Sequence, residues 1–128
     1  MDYRRAPWAL LAPACLTLSS CQLSVPIRIE QLPDGRISIQ TVDDEDDPAC
    51  IESLDISDGR EVGASVLWEI SLPPDAEKAG KCVSEIIYPT IPPGYHGEKP
   101  ALPFEKGRKY VVAAQGAGFY TVAEFVRR

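Results

Sequence analysis

The sequence predicts an all-β protein, a small antiparallel β-sandwich, and three observations predict it. Several short segments alternate apolar and polar residues with the period of two that turns one side of a strand into a core. Turn-forming Pro, Gly and Asp separate these segments at short intervals. No stretch sustains a helical period, and the chain has no internal repeat.

The first twenty residues stand apart from this pattern. Arg4 and Arg5 give a positive start, and Ala6 to Leu18 form an apolar stretch broken by Pro7 and Pro13. Leu18-Ser19-Ser20-Cys21 then closes it with small residues before a cysteine. The charged, apolar, small order is that of a secretory signal, and the apolar run is too short to span a bilayer. Those last four residues resemble the lipobox of bacterial lipoproteins. Cys15 is the poorer match, because Ala12-Pro13-Ala14 supplies no aliphatic residue. The resemblance implies cleavage before Cys21, a diacylglycerol on its sulfur and, usually, an acyl chain such as palmitate on its amine. Acyl chains contribute roughly 0.8 kcal/mol per buried methylene, so two or three hold a small domain on a membrane. Gln22 follows the cysteine, where in this class aspartate favours the inner membrane. The resemblance therefore implies anchorage in the outer membrane, facing the periplasm.

Cleavage there leaves 108 residues, enough for one domain with one modest core. Removing Arg4, Arg5 and Asp2 leaves 11 basic and 18 acidic residues, a formal charge of −7. Such a surface argues against nucleic acid or anionic headgroups as main partners. Of the four cysteines, Cys15 leaves with the signal and Cys21 takes lipid. Cys50 and Cys82 remain, and an even pair in an oxidising compartment predicts a disulfide. The clustered His and Cys ligands of a zinc site are missing. No metal or cofactor is expected.

Residues 21–24 read as a tether and 25–128 as a single domain. Val25, Ile27 and Ile29 share one parity, Pro33-Asp34-Gly35 makes a turn, and Ile37 and Ile39 resume the alternation, so a β-hairpin is expected. Five adjacent acids, Asp43 to Asp47, followed by Pro48, read as a solvated linker. They lack the spaced acids and turn glycine of an EF-hand calcium loop. Cys50, Leu54 and Ile56 are expected on one face of the next strand. Val66, Trp68, Ile70 and Leu72 follow with the cleanest alternation in the chain, which places Trp68 in the core. Pro73-Pro74 ends that strand, and Asp75 to Ala79 allow one helical turn before Gly80. Cys82, Ile86 and Tyr88 mark another strand. Pro89 to Pro103 is rich in proline and glycine, hence a loop or sheet edge. Tyr110 to Ala114 and Tyr120 to Val126 complete the set around Gly116-Ala117-Gly118.

The run Leu102-Pro103-Phe104-Glu105-Lys106-Gly107-Arg108-Lys109-Tyr110 resembles the corner before a late strand in fibronectin type III and related immunoglobulin-like domains. The resemblance implies that Tyr110 bonds back to the corner backbone, Gly107 makes the turn and Leu102 anchors the core. Trp68, followed by Pro73-Pro74, is similar to the core tryptophan of an early strand in such domains.

No catalytic residues are expected. His96 is the single histidine, Gly-x-Ser-x-Gly and Cys-His pairings are missing, and Gly116-Ala117-Gly118 lacks the pattern of a phosphate loop. Carboxylate-pair hydrolysis has no distinctive motif. Binding is the remaining class. A stiff loop from Pro92 to His96, with Phe104 nearby, presents Tyr95, His96 and Phe104 to a partner. Alternatively, Tyr88 and Phe104 are core and the loop only closes one end of the sandwich. The expected protein is a monomeric, lipid-anchored envelope protein with a protein partner. One version is an immunity or inhibitor lipoprotein whose acidic surface neutralises a basic toxin or cell-wall hydrolase; another is a structural part of an envelope assembly.

Overall fold

The computed structural model describes residues 25–42, 48–59, 65–98 and 100–128. The signal segment, Cys21, the tether and the acids of the 43–48 linker lie outside the described residues. Among those described, no helix is long and apolar enough to cross a membrane.

The expected hairpin pairs β1 (Ile27–Gln31) with β2 (Ile37–Thr41). Its turn is locked locally: the Gly35 amide donates to the Leu32 carbonyl at 3.0 Å, and the Arg36 amide to Asp34 Oδ1 at 3.1 Å. β2 also pairs with β5 (Glu85–Tyr88), giving a three-stranded antiparallel sheet in the order β1-β2-β5. The second sheet has the order β6-β4-β3-β7-β8. Its strands are β3 (Ser53–Asp58), β4 (Val66–Ser71), β6 (His96–Gly97), β7 (Lys109–Gly116) and β8 (Phe119–Val126). The prolines of the 89–103 segment confine it to a loop and the two-residue edge strand β6, and α1 (Pro74–Lys78) is the expected helical turn.

The sheets pack face to face around one core. Ile37, Ile39 and Ile86 come from the first sheet; Leu54, Ile56, Trp68, Ile70 and Val112 come from the second. The molecule is a small antiparallel β-sandwich, as the alternation predicts.

Each end of the sandwich is fastened differently. Where the described chain starts, the Cys50–Cys82 disulfide joins two segments 32 residues apart, with Cα atoms 5.6 Å apart. Closing a loop of that length contributes about 3–4 kcal/mol on the chain-entropy estimate. Beside it, the Tyr95 hydroxyl donates to the Ile51 carbonyl at 2.6 Å and accepts from the Val83 amide at 3.0 Å. Gly116 permits the close approach here, since a Cβ would sit 2.4 Å from the Cys50 carbonyl oxygen. At the far end Trp68, Tyr88, Phe104, Tyr110 and Phe125 form a chain of ring contacts with centroids 4.4–5.9 Å apart. There the Tyr110 hydroxyl accepts from the Glu105 amide at 2.9 Å, and Gly107 turns at φ +81°.

Two expectations are corrected. Leu102 does not anchor the core: it is 46% exposed, and its carbonyl accepts from the Tyr88 hydroxyl instead. Cys50 does not share the inward face with Leu54 and Ile56. Its sulfur reaches sideways to Cys82, and Ile51, fully buried and bridged to Val83, fills the core position. The alternation therefore slips by one residue before β3 begins. β8 also starts one residue earlier than expected, at the buried Phe119.

Candidate functional site

The three residues of the expected binding loop lie apart. Tyr95 is 7% exposed and spends its hydroxyl on the two backbone bonds beside the disulfide, so its ring is not presented to solvent. Phe104 sits at the opposite end, half-buried and stacked on Tyr88 at 4.6 Å. Only His96 is exposed, on β6 opposite Ser71. That pair brings a serine beside the histidine, but no hydrogen bond joins the side chains and both are exposed. Nothing there excludes water or orients a base.

A different surface breaks the rules a solvated sheet face normally obeys. An antiparallel sheet with one covered face alternates apolar-in with polar-out. β7 does not: Tyr110, Val111, Val112, Ala113 and Ala114 are all buried. Val111 and Ala113 lie on the face turned away from the other sheet, because Tyr110, Val112 and Ala114 belong to the shared core. Next to them β8 presents Tyr120, Val122 and Val126, which are 46%, 41% and 52% exposed. Tyr120 and Val122, at alternate positions of this edge strand, form a short apolar strip, and Glu124, ion-paired with Lys109 at 3.6 Å, separates it from Val126.

The register continues that strip into an acidic one. Val122 opposes Ala113, Ala113 opposes Asp55, and Asp55 opposes Glu69, with Glu98 donating its amide to the Glu69 carbonyl at 3.1 Å. A neighbouring row runs from Tyr120 through Gln115, Ser53 and Ser71 to His96. Like charges directly opposite across two strands destabilise a sheet. Burial first, and the Glu69 charge second, hold the Asp55 carboxyl above its ordinary value. Asp55 Oδ1 is buried with no hydrogen-bond partner, as is Oγ of Ser57 two residues on. A bulge between Ile56 and Ser57 shifts the register there.

Buried polar atoms in native proteins are nearly always paired, so two orphans on one face require a reason. A cation arriving on this face relieves the conflict at Asp55. It gives Asp55 a donor, screens Asp55 from Glu69, and lowers the cost of the charged carboxylate. The sequence carries one signal of this surface, the unbroken apolar run Tyr110 to Ala114, which reads as a strand covered on both sides. Among the described residues, no cluster of three or more His, Cys, Asp or Glu is arranged to hold a metal ion.

Neither protein-family models, nor curated proteins, nor solved structures match this chain. The functional argument therefore rests on the chemistry of this surface.

Proposed function

We propose that the chain is a non-catalytic binding protein of the cell envelope. It is held on a membrane by lipid on Cys21 and engages a partner protein through the outer face of its five-stranded sheet. The observation that carries this reading is Asp55: a partly buried carboxylate with an orphan oxygen, facing Glu69 on one side and, across Ala113, in register with exposed Val122 on the other. The matching partner surface has an apolar patch flanked by Lys or Arg. Apolar anchors supply the affinity, and the opposed charges supply orientation and rate.

Within that reading, the acidic centre and the formal charge of −7 after Cys21 favour the inhibitor or immunity version, in which the partner is a basic toxin or cell-wall hydrolase. The test is a photo-crosslinking residue placed at Val122 in living cells, with a second version at Arg28 on the exposed face of the three-stranded sheet. The reading expects one basic protein captured from position 122 and not from position 28, with a yield that falls as salt is raised. Equal capture from both positions, or an acidic partner, overturns it. Intact mass of the membrane-extracted chain, beside Cys21→Ala, tests the anchor: the native chain carries the acyl mass and the variant does not.

A further inference from the structure

The end of the sandwich farthest from the start of the described chain has the opposite character. Val25 lies near the Gly116 end, where its carbonyl accepts from Thr121 Oγ1 at 2.5 Å. β1 then runs away to Gln31, whose side-chain amide donates to the Val126 carbonyl at 2.8 Å. Two adjoining clefts open at that far end. One, of about 570 Å³, is polar and is flanked by Lys106, Arg127 and Arg128. The other, of about 460 Å³, is more apolar, and Tyr88, Leu102, Pro103 and Phe104 line it. Arg127 and Gly35 belong to both, so the clefts form one continuous surface.

In a chain with net charge −6, this concentration of cations is a local reversal of sign. The carboxylate shared by both clefts, Asp34, is occupied by Arg36 at 2.7 Å. Arg127 Nη2 donates to the Gly35 carbonyl at 3.0 Å, which fixes the guanidinium at the junction while its other N–H groups stay available. Among the described residues, Lys106 has no ion-pair partner. Beside these cations, Leu102 is an exposed apolar side chain at the rim of a wall of stacked rings.

We infer that this end binds an extended acidic peptide, taking a carboxylate between Lys106 and Arg127 and an apolar side chain beside Leu102 and Phe104. Both clefts are open to solvent. In an extended peptide, residues i and i+2 point the same way about 7 Å apart, a spacing that lets alternate side chains enter adjoining clefts. Charge complementarity selects the acid, and the ring wall selects its apolar neighbour. This site is independent of the face around Asp55: it lies at one end of the sandwich and carries the opposite charge.

The test is fluorescence anisotropy of the full chain with a labelled peptide of repeating Glu-Ser-Phe-Ser, which sets glutamate and phenylalanine two residues apart on the same side of an extended chain. Two control peptides replace glutamate by glutamine, or phenylalanine by serine. Each replacement is expected to weaken binding about tenfold, the loss expected for one charge-assisted bond or one buried side chain. Lys106→Glu and Leu102→Ser, both at exposed positions, should each weaken the parent peptide about as much without lowering the melting temperature. Val122→Ser should leave peptide binding unchanged, which separates this site from the partner face. Equal binding of the glutamine peptide, or unaltered binding by Lys106→Glu, overturns the inference. Displacement of the peptide by dodecanoate at a lower concentration than the peptide itself would assign the site to an acyl ligand and overturn it as well.

Discussion

The two solvent-turned faces of this sandwich are built to different standards. On the three-stranded sheet, Ser38 Oγ donates to Glu85 Oε2 at 2.6 Å, and Gln40 Nε2 reaches both groups at 3.1 Å. No buried polar atom in that triad lacks a partner, and Arg28 and Glu30 beside it are exposed and charged. On the five-stranded sheet the equivalent positions hold an orphaned Asp55 oxygen, an orphaned Ser57 hydroxyl, two facing acids and an apolar strip. Both faces belong to one domain and share one core. The proposed partner-binding role of the second face accounts for that difference. Local conflict within an otherwise consistent structure is where a binding site is expected.

Substitutions can break or sharpen that contrast. The largest effect belongs to the core both sheets share: Trp68→Ala should cost about 3–5 kcal/mol in urea unfolding, since the site is fully enclosed. A loss below about 1 kcal/mol would mean the core is not packed as described. On the satisfied face, Ser38→Ala should cost about 1 kcal/mol, because it leaves Glu85 and Gln40 short of a bond in a partly buried setting. On the conflicted face the sign reverses. Asp55→Asn should stabilise the protein by about 1 kcal/mol at neutral pH by removing a like-charge pair and a poorly solvated charge.

The same variant changes the pH dependence. The folded Asp55 carboxyl titrates above its ordinary value of 3.8, so the folded state holds that proton more tightly than the unfolded chain. Stability from this group is therefore present below 3.8 and is lost as pH rises through the folded value. Asp55→Asn should remove that decline, which thermal melts across the weakly acidic range would show. The smallest stability effect is expected for Val122→Ser, within about 0.5 kcal/mol, although partner capture should fall sharply.

Much of the fold was legible from alternation, because the residues concerned needed only their own strand to reveal their side. Ile37 with Ile39, and Trp68 with Ile70, are in the core as their period of two requires. The Tyr110 hydroxyl bond was legible for a different reason: the resemblance of residues 102–110 to an immunoglobulin-like corner implied it, and the structure supplies its partner, the Glu105 amide. Long-range features were not. Tyr95 in a proline-glycine loop looks like an exposed anchor, and its burial depends on Ile51 and Val83, which only the assembled chain brings to it. Ile51 took the place expected of Cys50 because the disulfide draws Cys50 sideways, a constraint that parity counting does not contain.

The proposed partner face was the least legible part. Asp55 and Glu69 are unremarkable polar residues on their own strands. Their conflict exists only once the register sets them opposite each other and the bulge at Ile56/Ser57 fixes what lies beside them. The basic end was hidden for a similar reason. Lys106, Arg127 and Arg128 meet Asp34 and Gly35 through packing between segments more than seventy residues apart in the chain.

The most direct test of the central claim reads two properties of one variant. Asp55→Asn, carried in a chain with the photo-crosslinker at position 122, should melt at a higher temperature than the parent and capture less of its partner. Higher stability with lost binding is the signature of a charge retained for recognition. A variant that melts lower, or that captures its partner as well as the parent does, would contradict the account.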